Sequence, residues 1–411
     1  MNDYSSLESS VSTIQSRFPK IVKVLAKFFA SRDVQAYLVG GIVRDAVLKR
    51  CITDIDIAVA ANTSEIASDL AIAIGSRAVP LEPARGIVRV IIPASPVIIV
   101  DLSPIERDIL GDLSCRDFAL DAMAVSMADL EIGDKQLHII DPHGGLADLK
   151  SGIVRALAPS VFEDDAARLM RGPRLAAQLG FSVSEMTKQW IRDRAELVTG
   201  VASERVRDEM LKILAAPVAS ASLRMLDELC LLSLLLPELD EARGVSQPQE
   251  HYWDVFDHSI ETVRQVELIS SRSYDSNDFV KQLLPDFPSF DEYFAESVSD
   301  GHTRLTLLKF AGLLHDIAKP LTKTVEPTGR IRFIGHGNSG AEISAHILDR
   351  LRLSSRGSDL ICRMVEHHLR PSQLSQNEEV PSRKAIYRYY RDLGGAAIDT
   401  IYLSLADYLA A

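Results

Sequence analysis

The sequence predicts an α+β protein: one region of mixed strands and helices, followed by two regions built of helices. Three observations predict it. Across residues 1–150, segments with a hydrophobic period of two alternate with segments of helical period. After Lys150 the strand pattern fades and amphipathic helical spacing runs to the end. The chain has 411 residues, 46% hydrophobic and 25% charged, so it is a folded protein too long for a single core. The texture places boundaries at 1–150, 151–245 and 246–411.

The elements follow in order. IVKVLAKFFASR has helical period, and AYLVGG reads as a strand closed by Gly40 and Gly41. IVRDAVLKR is again helical, and TDIDIAVA alternates strictly, as a half-buried strand does. AVPLE, IVRVIIP, PVIIVDLS and LHIIDP continue the strand signals. Beyond Lys150, VFEDDAARLMRGPRLAAQLGF predicts one helix over 162–180, and SEMTKQWIRDRAELV and SERVRDEMLKILAAP predict two more. GVSQPQE reads as a linker into the last region, which is helical except for an acidic, turn-rich stretch at 271–300 that reads as an insertion. No internal repeat or low-complexity tract is present.

Composition excludes several classes. Forty-five Lys and Arg against 57 Asp and Glu give a formal net charge of −12, which excludes a protein that coats nucleic acid through bulk positive charge. A local track remains open, since residues 151–214 hold ten Lys/Arg and nine Asp/Glu. Four cysteines (Cys51, Cys115, Cys230, Cys362) stand far apart, which suggests neither a disulfide framework nor a zinc knuckle. No secretory leader and no membrane-length apolar run is apparent, so the expected location is the cytoplasm.

The first region carries a candidate phosphoryl-transfer site. Asp54 and Asp56 are two apart on a strand and share a face, while Ile55 and Ile57 point away. Two close carboxylates suit Mg²⁺, which takes few protein oxygens and leaves positions for phosphate. Just upstream, Gly40–Gly41 joins a strand to a helix containing Arg44 and Asp45, and such a junction lets backbone amides approach a phosphate. The bland alternative is a solvated strand after an ordinary turn.

GGIVRDAVL followed by TDIDIAVA resembles the first motif of the class II tRNA nucleotidyltransferases and bacterial poly(A) polymerases, within the polymerase-β-like superfamily. CRDFALDAMAV, DPHGGLADLK, DDAARLMRGPRLAAQLGF and SERVRDEMLKIL resemble further motifs of that family, in its order, over residues 36–240. The resemblance implies a polymerase-β-like head, a neck and body that bind nucleotide base and tRNA, and an enzyme that adds C or A from CTP and ATP to the tRNA 3′ end. It implies that Gly40, Gly41, Arg44, Asp45, Arg116, Asp117, Arg171 and Arg174 contribute to nucleotide binding. Departures from the pattern are Cys115 for arginine, Asp121 for asparagine, Asp164 for glutamate and Ala166 for proline. The connector between Asp101 and Arg116 is short where many relatives carry a longer loop, which by resemblance points to C addition without A.

In the predicted helix 162–180, Asp165 and Arg168 are three apart, hence neighbours on one face. Read alone they are an ordinary ion pair. The resemblance makes them the template for the incoming base: cytosine and adenine each offer an amino donor beside a ring-nitrogen acceptor. A carboxylate accepts from the first and a guanidinium donates to the second, whereas uracil and guanine would leave a charge unpaired.

The last region holds His258, His315–Asp316, His336, His367–His368 and Asp407 on successive helical segments. This pattern resembles the HD phosphohydrolase superfamily. It implies a divalent metal on His258, His315, Asp316 and Asp407, with His336 and His367 as candidates for a second ion. Imidazole plus carboxylate suits Mn, Fe, Co, Ni, Zn or Mg. The expected partners are a tRNA 3′ end, CTP and ATP; no membrane and no protein partner is implied. The alternatives left open are a poly(A) polymerase, an RNA-docked HD phosphohydrolase and a non-enzymatic RNA-binding protein.

Overall fold

The period-two segments of the N-terminal region become strands of one sheet. In the computed structural model, which describes residues 18–52, 54–94, 97–131, 138–248, 252–272, 289–375 and 380–411, these are Ala36–Val39 (β1), Asp54–Val59 (β2), Arg77–Glu82 (β3), Ile87–Ile92 (β4), Ile98–Pro104 (β5), Ala124–Ser126 (β6) and Ile139–Ile140 (β7). Their order is β3-β4-β5-β2-β1-β6-β7. β2 and β5 run parallel and the other neighbours antiparallel, giving the mixed sheet expected. A parallel pair needs a long crossover. Here it is helix Thr63–Ala73 with the β3–β4 hairpin, and Asn62 caps that helix by accepting the amides of Ser64 and Glu65. Ile55 and Ile57 are buried on one face of β2 while Asp54 and Asp56 keep solvent access on the other.

The chain divides into two compact units, Met1–Arg168 with Phe181–Trp190, and Leu169–Gly180 with Ile191–Ala411. In the first, Ile153–Val154 pairs in parallel with Ser182–Val183, and Phe118 bridges to Ala156. The glycine pair of DPHGG has a steric reason. The Asp141 carboxylate accepts the amides of Gly145 and Leu146 at 2.7 and 2.9 Å, and Gly144 takes φ 76°. A Cβ on Gly145 would lie 2.3 Å from the Ala119 carbonyl oxygen, so only glycine lets helix Gly145–Ser151 meet the turn Ala119–Asp121.

The expected continuous helix over 162–180 is broken. Val161–Asp164 ends at Asp165, which is extended at φ −153°, and a new helix runs Arg168–Leu179. The cause is local competition by an aspartate side chain: Asp165 Oδ1 accepts the Ala167 amide at 3.1 Å, and its carbonyl accepts the Arg168 amide at 3.1 Å.

The second unit is helical, with short antiparallel ribbons at Ser297–Ser299 with His302–Thr303 and at Lys323–Val325 with Ile331–Phe333. Its centre is helix Arg304–Leu314, buried continuously from Thr306 to Leu314 because it is apolar nearly all round. Helix Val255–Ser271 packs against it and against Ala397–Ala410, and His336–Arg350 packs on Ser355–His367. Most of the expected 271–300 insertion lies outside the described residues; its end forms helix Phe290–Ala295. Among the described residues no helix is long and apolar enough to cross a membrane.

Candidate active and metal sites

In the first unit, the parallel register sets Asp56 on β2 opposite Asp101 on β5. Paired residues of neighbouring strands project to the same face, so Asp54, Asp56 and Asp101 form one acidic face. Arg89 on β4 lies opposite Asp101 and holds it with two hydrogen bonds of 2.8 Å. The Asp101 hydrogen bonds keep the Arg89 guanidinium above its ordinary range against its partial burial, with Asp54 and Asp56 adding attraction. Sequence reasoning missed Asp101 and Arg89. The available signal was a lone aspartate inside the apolar run PVIIVDLS, but strand order decides which face it joins.

Gly40 borders this face at φ 75°. A Cβ there would meet Arg116 Nη1 at 2.8 Å and Asp56 Oδ2 at 3.7 Å, so the turn, Arg116 and Asp56 are immediate neighbours. Asp112, one turn earlier, holds Arg116 at 3.0 Å. Gly41 opens helix Gly41–Val47. Arg44 on that helix binds Asp45 at 2.9 Å and Asp121 at 2.6 Å. Burial alone would lower the Arg44 pKa, but the two carboxylates hold it well above the ordinary arginine value. Arg44 therefore anchors the helix to the turn that carries Asp121.

Buried Asp117 accepts its neighbour Phe118's amide and lies 4.0 Å from Arg168 Nε. Arg168 Nη1 also donates to the Val161 carbonyl at 3.3 Å. Asp165 and Arg168 are both half-buried and flank the helix break, so they are held by a turn rather than by a continuous helical face. In the second unit Arg171 is exposed, whereas Arg174 is committed to Glu209 at 2.5 Å and Gln178 at 2.6 Å, tying its helix to Ser203–Ala215.

The second unit gathers six groups from separate helical segments. His258, His315, Asp316 and Asp407 present ligand atoms within 4.8 Å of one another, and Asp316, His336 and His368 do the same. His258 Nε2 is 2.9 Å from Asp407 Oδ1, and His315 Nε2 is 3.1 Å from Asp316 Oδ2. The second group differs from the sequence expectation: His368 joins it and His367 does not. Consecutive helical residues project about 100° apart. His367 turns toward Glu366 and stays partly exposed, while His368 is buried. Lys319, three residues after Asp316, is a further group the sequence reading missed; its Nζ lies 2.5 Å from Asp316 Oδ2 and donates to Gln247 at 2.6 Å.

The arrangement fits metal ions on its own chemistry. Nδ1 of His315, His336 and His368 each sits 2.6–2.8 Å from a backbone carbonyl, of Gly312, Phe333 and Val365. A carbonyl only accepts, so each Nδ1 carries a proton and turns Nε2 inward, the nitrogen with which ligating histidines bind. His336 Nε2 and His368 Nε2 then face each other at 3.2 Å, close enough to share one proton or one metal cation. His315 Nε2 and both Asp316 oxygens are buried without a well-formed hydrogen bond, despite the nearby Lys319 ammonium. Burial works against charge on His315, yet Asp316 and Asp407 raise it to about 10, so without a metal the ring is a cation, and an ion binding there displaces its Nε2 proton. Burial, followed by repulsion from His315, lowers His368 to about 4, which keeps its lone pair available.

Residues 36–103 match the family described as the Poly A polymerase head domain. Residues 180–243 match the probable RNA and SrmB-binding site of polymerase A, and residues 255–411 match the HD domain. An A-adding tRNA nucleotidyltransferase of Deinococcus radiodurans is 32% identical over 382 residues, covering 92% of this chain and 76% of that protein. A CC-adding tRNA nucleotidyltransferase of Thermus thermophilus is 28% identical over 390 residues, covering 93% and 77%. Among solved structures, the Thermotoga maritima CCA-adding enzyme complexed with tRNA shares the fold, with a TM-score of 0.63 at 19% identity over 97% of this chain and 83% of that one.

Proposed function

We propose, from the premise that this chain belongs to the tRNA nucleotidyltransferase family with a C-terminal HD domain, that it adds nucleotides from CTP, ATP or both to the 3′ end of tRNA without a nucleic-acid template. The observation that carries the reading is the acidic face of Asp54, Asp56 and Asp101 beside the Gly40 turn. Three hard oxygen donors suit Mg²⁺, which when bound there supplies charge neutralisation for the triphosphate and for the primer hydroxyl. Gly40 leaves the approach to Asp56 free of a side chain, and Arg116 beside it offers a cation to the phosphates or sugar of the nucleotide. Asp165 and Arg168, fixed at the helix break, read the amino group and ring nitrogen shared by cytosine and adenine.

The finer reading is addition of C without A. The relatives named above include both A-adding and CC-adding enzymes, so kinship alone does not choose. The connector after β5 favours CC addition. It is short and folded into helix Ile109–Ser114, capped by Asp108 on the Gly111 amide at 2.7 Å and closed by the Asp112–Arg116 pair. Extension of tRNAs lacking the terminal CCA, ending in CC, and complete, with each NTP supplied alone, tests both levels. Two C additions followed by arrest are expected. Incorporation of A onto the CC-ending tRNA would overturn the restriction to C. Asp54→Ala or Asp56→Ala should lower C addition at least about a hundred-fold, and wild-type turnover in either variant would remove the nucleotidyltransferase assignment to this face.

The six-residue cluster, buried except for a partly accessible Asp407, supports a second activity, metal-dependent phosphomonoester or cyclic-phosphate hydrolysis in the HD region. The same proposal places the chain in the cytoplasm, where its tRNA substrate is.

A further inference from the structure

We propose that helix Arg383–Leu393 of the second unit is an RNA-docking surface that grips the phosphate backbone of the tRNA, an inference that rests on the tRNA reading above. At about 100° per residue, Arg383, Lys384, Tyr387, Arg388, Tyr390 and Arg391 fall within one arc of about 160°. All six are exposed, Tyr387 at 67% and Tyr390 at 49%. The opposite face carries Tyr389 and Leu393, which are buried, and the Tyr389 hydroxyl donates to the Ala397 carbonyl at 2.7 Å. The helix is thus pinned on one side and presents four cations interleaved with two tyrosines on the other.

This arrangement works against the stability of the helix that carries it. Arg383 and Lys384 occupy the first turn, where no acidic residue is present and the macrodipole disfavours positive charge. Lys384 and Arg388 are i,i+4 neighbours and Arg388 and Arg391 are i,i+3 neighbours, spacings at which like charges repel. Among the described residues Arg383, Lys384 and Arg388 have no carboxylate partner. The Asp392 carboxylate on the same helix is already shared by Arg370 at 2.9 Å and Arg391 at 2.6 Å, with Arg363 donating to its backbone carbonyl at 3.2 Å.

The whole chain carries −12, so a cationic face here is a local feature and not an average one. A polyanion is the complementary partner. Three cations with no carboxylate partner among the described residues suit phosphates, and exposed tyrosines between them suit unstacked loop bases, the combination by which folded RNA is held.

The test uses the full chain and fluorescently labelled tRNA lacking its 3′ end, with affinity measured by anisotropy across a salt series. The variant is Arg383→Ser/Lys384→Ser/Arg388→Ser. Loss of three phosphate contacts should weaken binding about ten-fold and reduce the slope of log affinity against log salt by about two to three. CTP affinity should not change, and the melting temperature should stay level or rise because repulsion is removed. Tyr387→Ser alone should weaken binding several-fold while leaving the salt slope unchanged. Unchanged affinity and slope in the triple variant, with wild type binding and extending tRNA, would overturn the docking surface. Loss of binding to anionic lipid vesicles in place of tRNA would also overturn it. Failure of the wild-type chain to bind or extend tRNA would instead strike the functional reading on which the proposal rests.

Discussion

His367 and His368 show how much one residue of helical phase decides. Both end the same helix, yet only His368 places Nε2 3.2 Å from His336 and 3.8 Å from Asp316, with its Nδ1 fixed by the Val365 carbonyl. His367 faces Glu366 at 3.8 Å, and burial holds it below the ordinary histidine value. His368→Ala should therefore lower the metal content of the purified chain and reduce any cyclic-phosphate hydrolysis by about ten-fold or more, the usual scale for losing a metal-site contact. His367→Ala should leave both unchanged. Metal analysis and a hydrolysis assay on the two variants check this, and equal metal loss in both would show that the cluster is organised differently. A second case at this scale is Asp101. Its importance comes from the β2–β5 register, which no spacing within its own strand reveals.

At the scale of elements, the sequence was legible where period and burial agreed. TDIDIAVA became β2 with its isoleucines buried, and IVRVIIP, PVIIVDLS and LHIIDP correspond to β4, β5 and β7, while AVPLE forms β3 although that strand is exposed almost throughout. The break at Asp165 was not legible, because residues 162–180 keep a helical hydrophobic period and one side chain capturing the Ala167 amide interrupts it. The order of the strands was not legible either, since pairing across a crossover is a tertiary choice. Tertiary ion pairs between elements are equally hidden. Arg350, at the end of helix His336–Arg350, clasps Glu238 in the turn Pro237–Ala242 through contacts of 2.5 and 2.9 Å. Burial opposes ionisation of Glu238, but Arg350 holds its carboxyl below the ordinary value of 4.5. A depressed carboxylate stabilises the fold above its unfolded pKa and loses that contribution as pH falls through its folded pKa. Glu238→Gln should thus cost about 1 kcal/mol at neutral pH, discounted for partial exposure. The difference from wild type should hold down to about pH 4.5 and shrink below it. Denaturant unfolding across that range checks the claim, and a gap that widens in acid would refute it.

At the scale of the whole molecule, the two candidate metal sites lie in different compact units, with Asp54, Asp56 and Asp101 in the first and the His258, His315, Asp316 and Asp407 group in the second. Their chemistry differs too: carboxylate oxygens alone in one, imidazole nitrogen with carboxylate in the other, so hard and borderline cations are expected to sort between them. Binding to the native state alone raises stability by about 2.7 kcal/mol when free ligand is a hundred times its dissociation constant. If each unit unfolds cooperatively by itself, calorimetry of the full chain will resolve two transitions. Manganese at low concentration should raise the one belonging to the second unit and lose that effect in His315→Ala. Magnesium with CTP should raise the other and lose its effect in Asp54→Ala. The reasoning turns on buried, poorly partnered ligand atoms. His315 Nε2 and the Asp316 oxygens gain most from an ion because they are buried without a well-formed hydrogen bond, with only the Lys319 ammonium and each other as charged neighbours among the described residues. One transition shifted equally by both ligands, and unaffected by either substitution, would show that the two sites do not stabilise separate units.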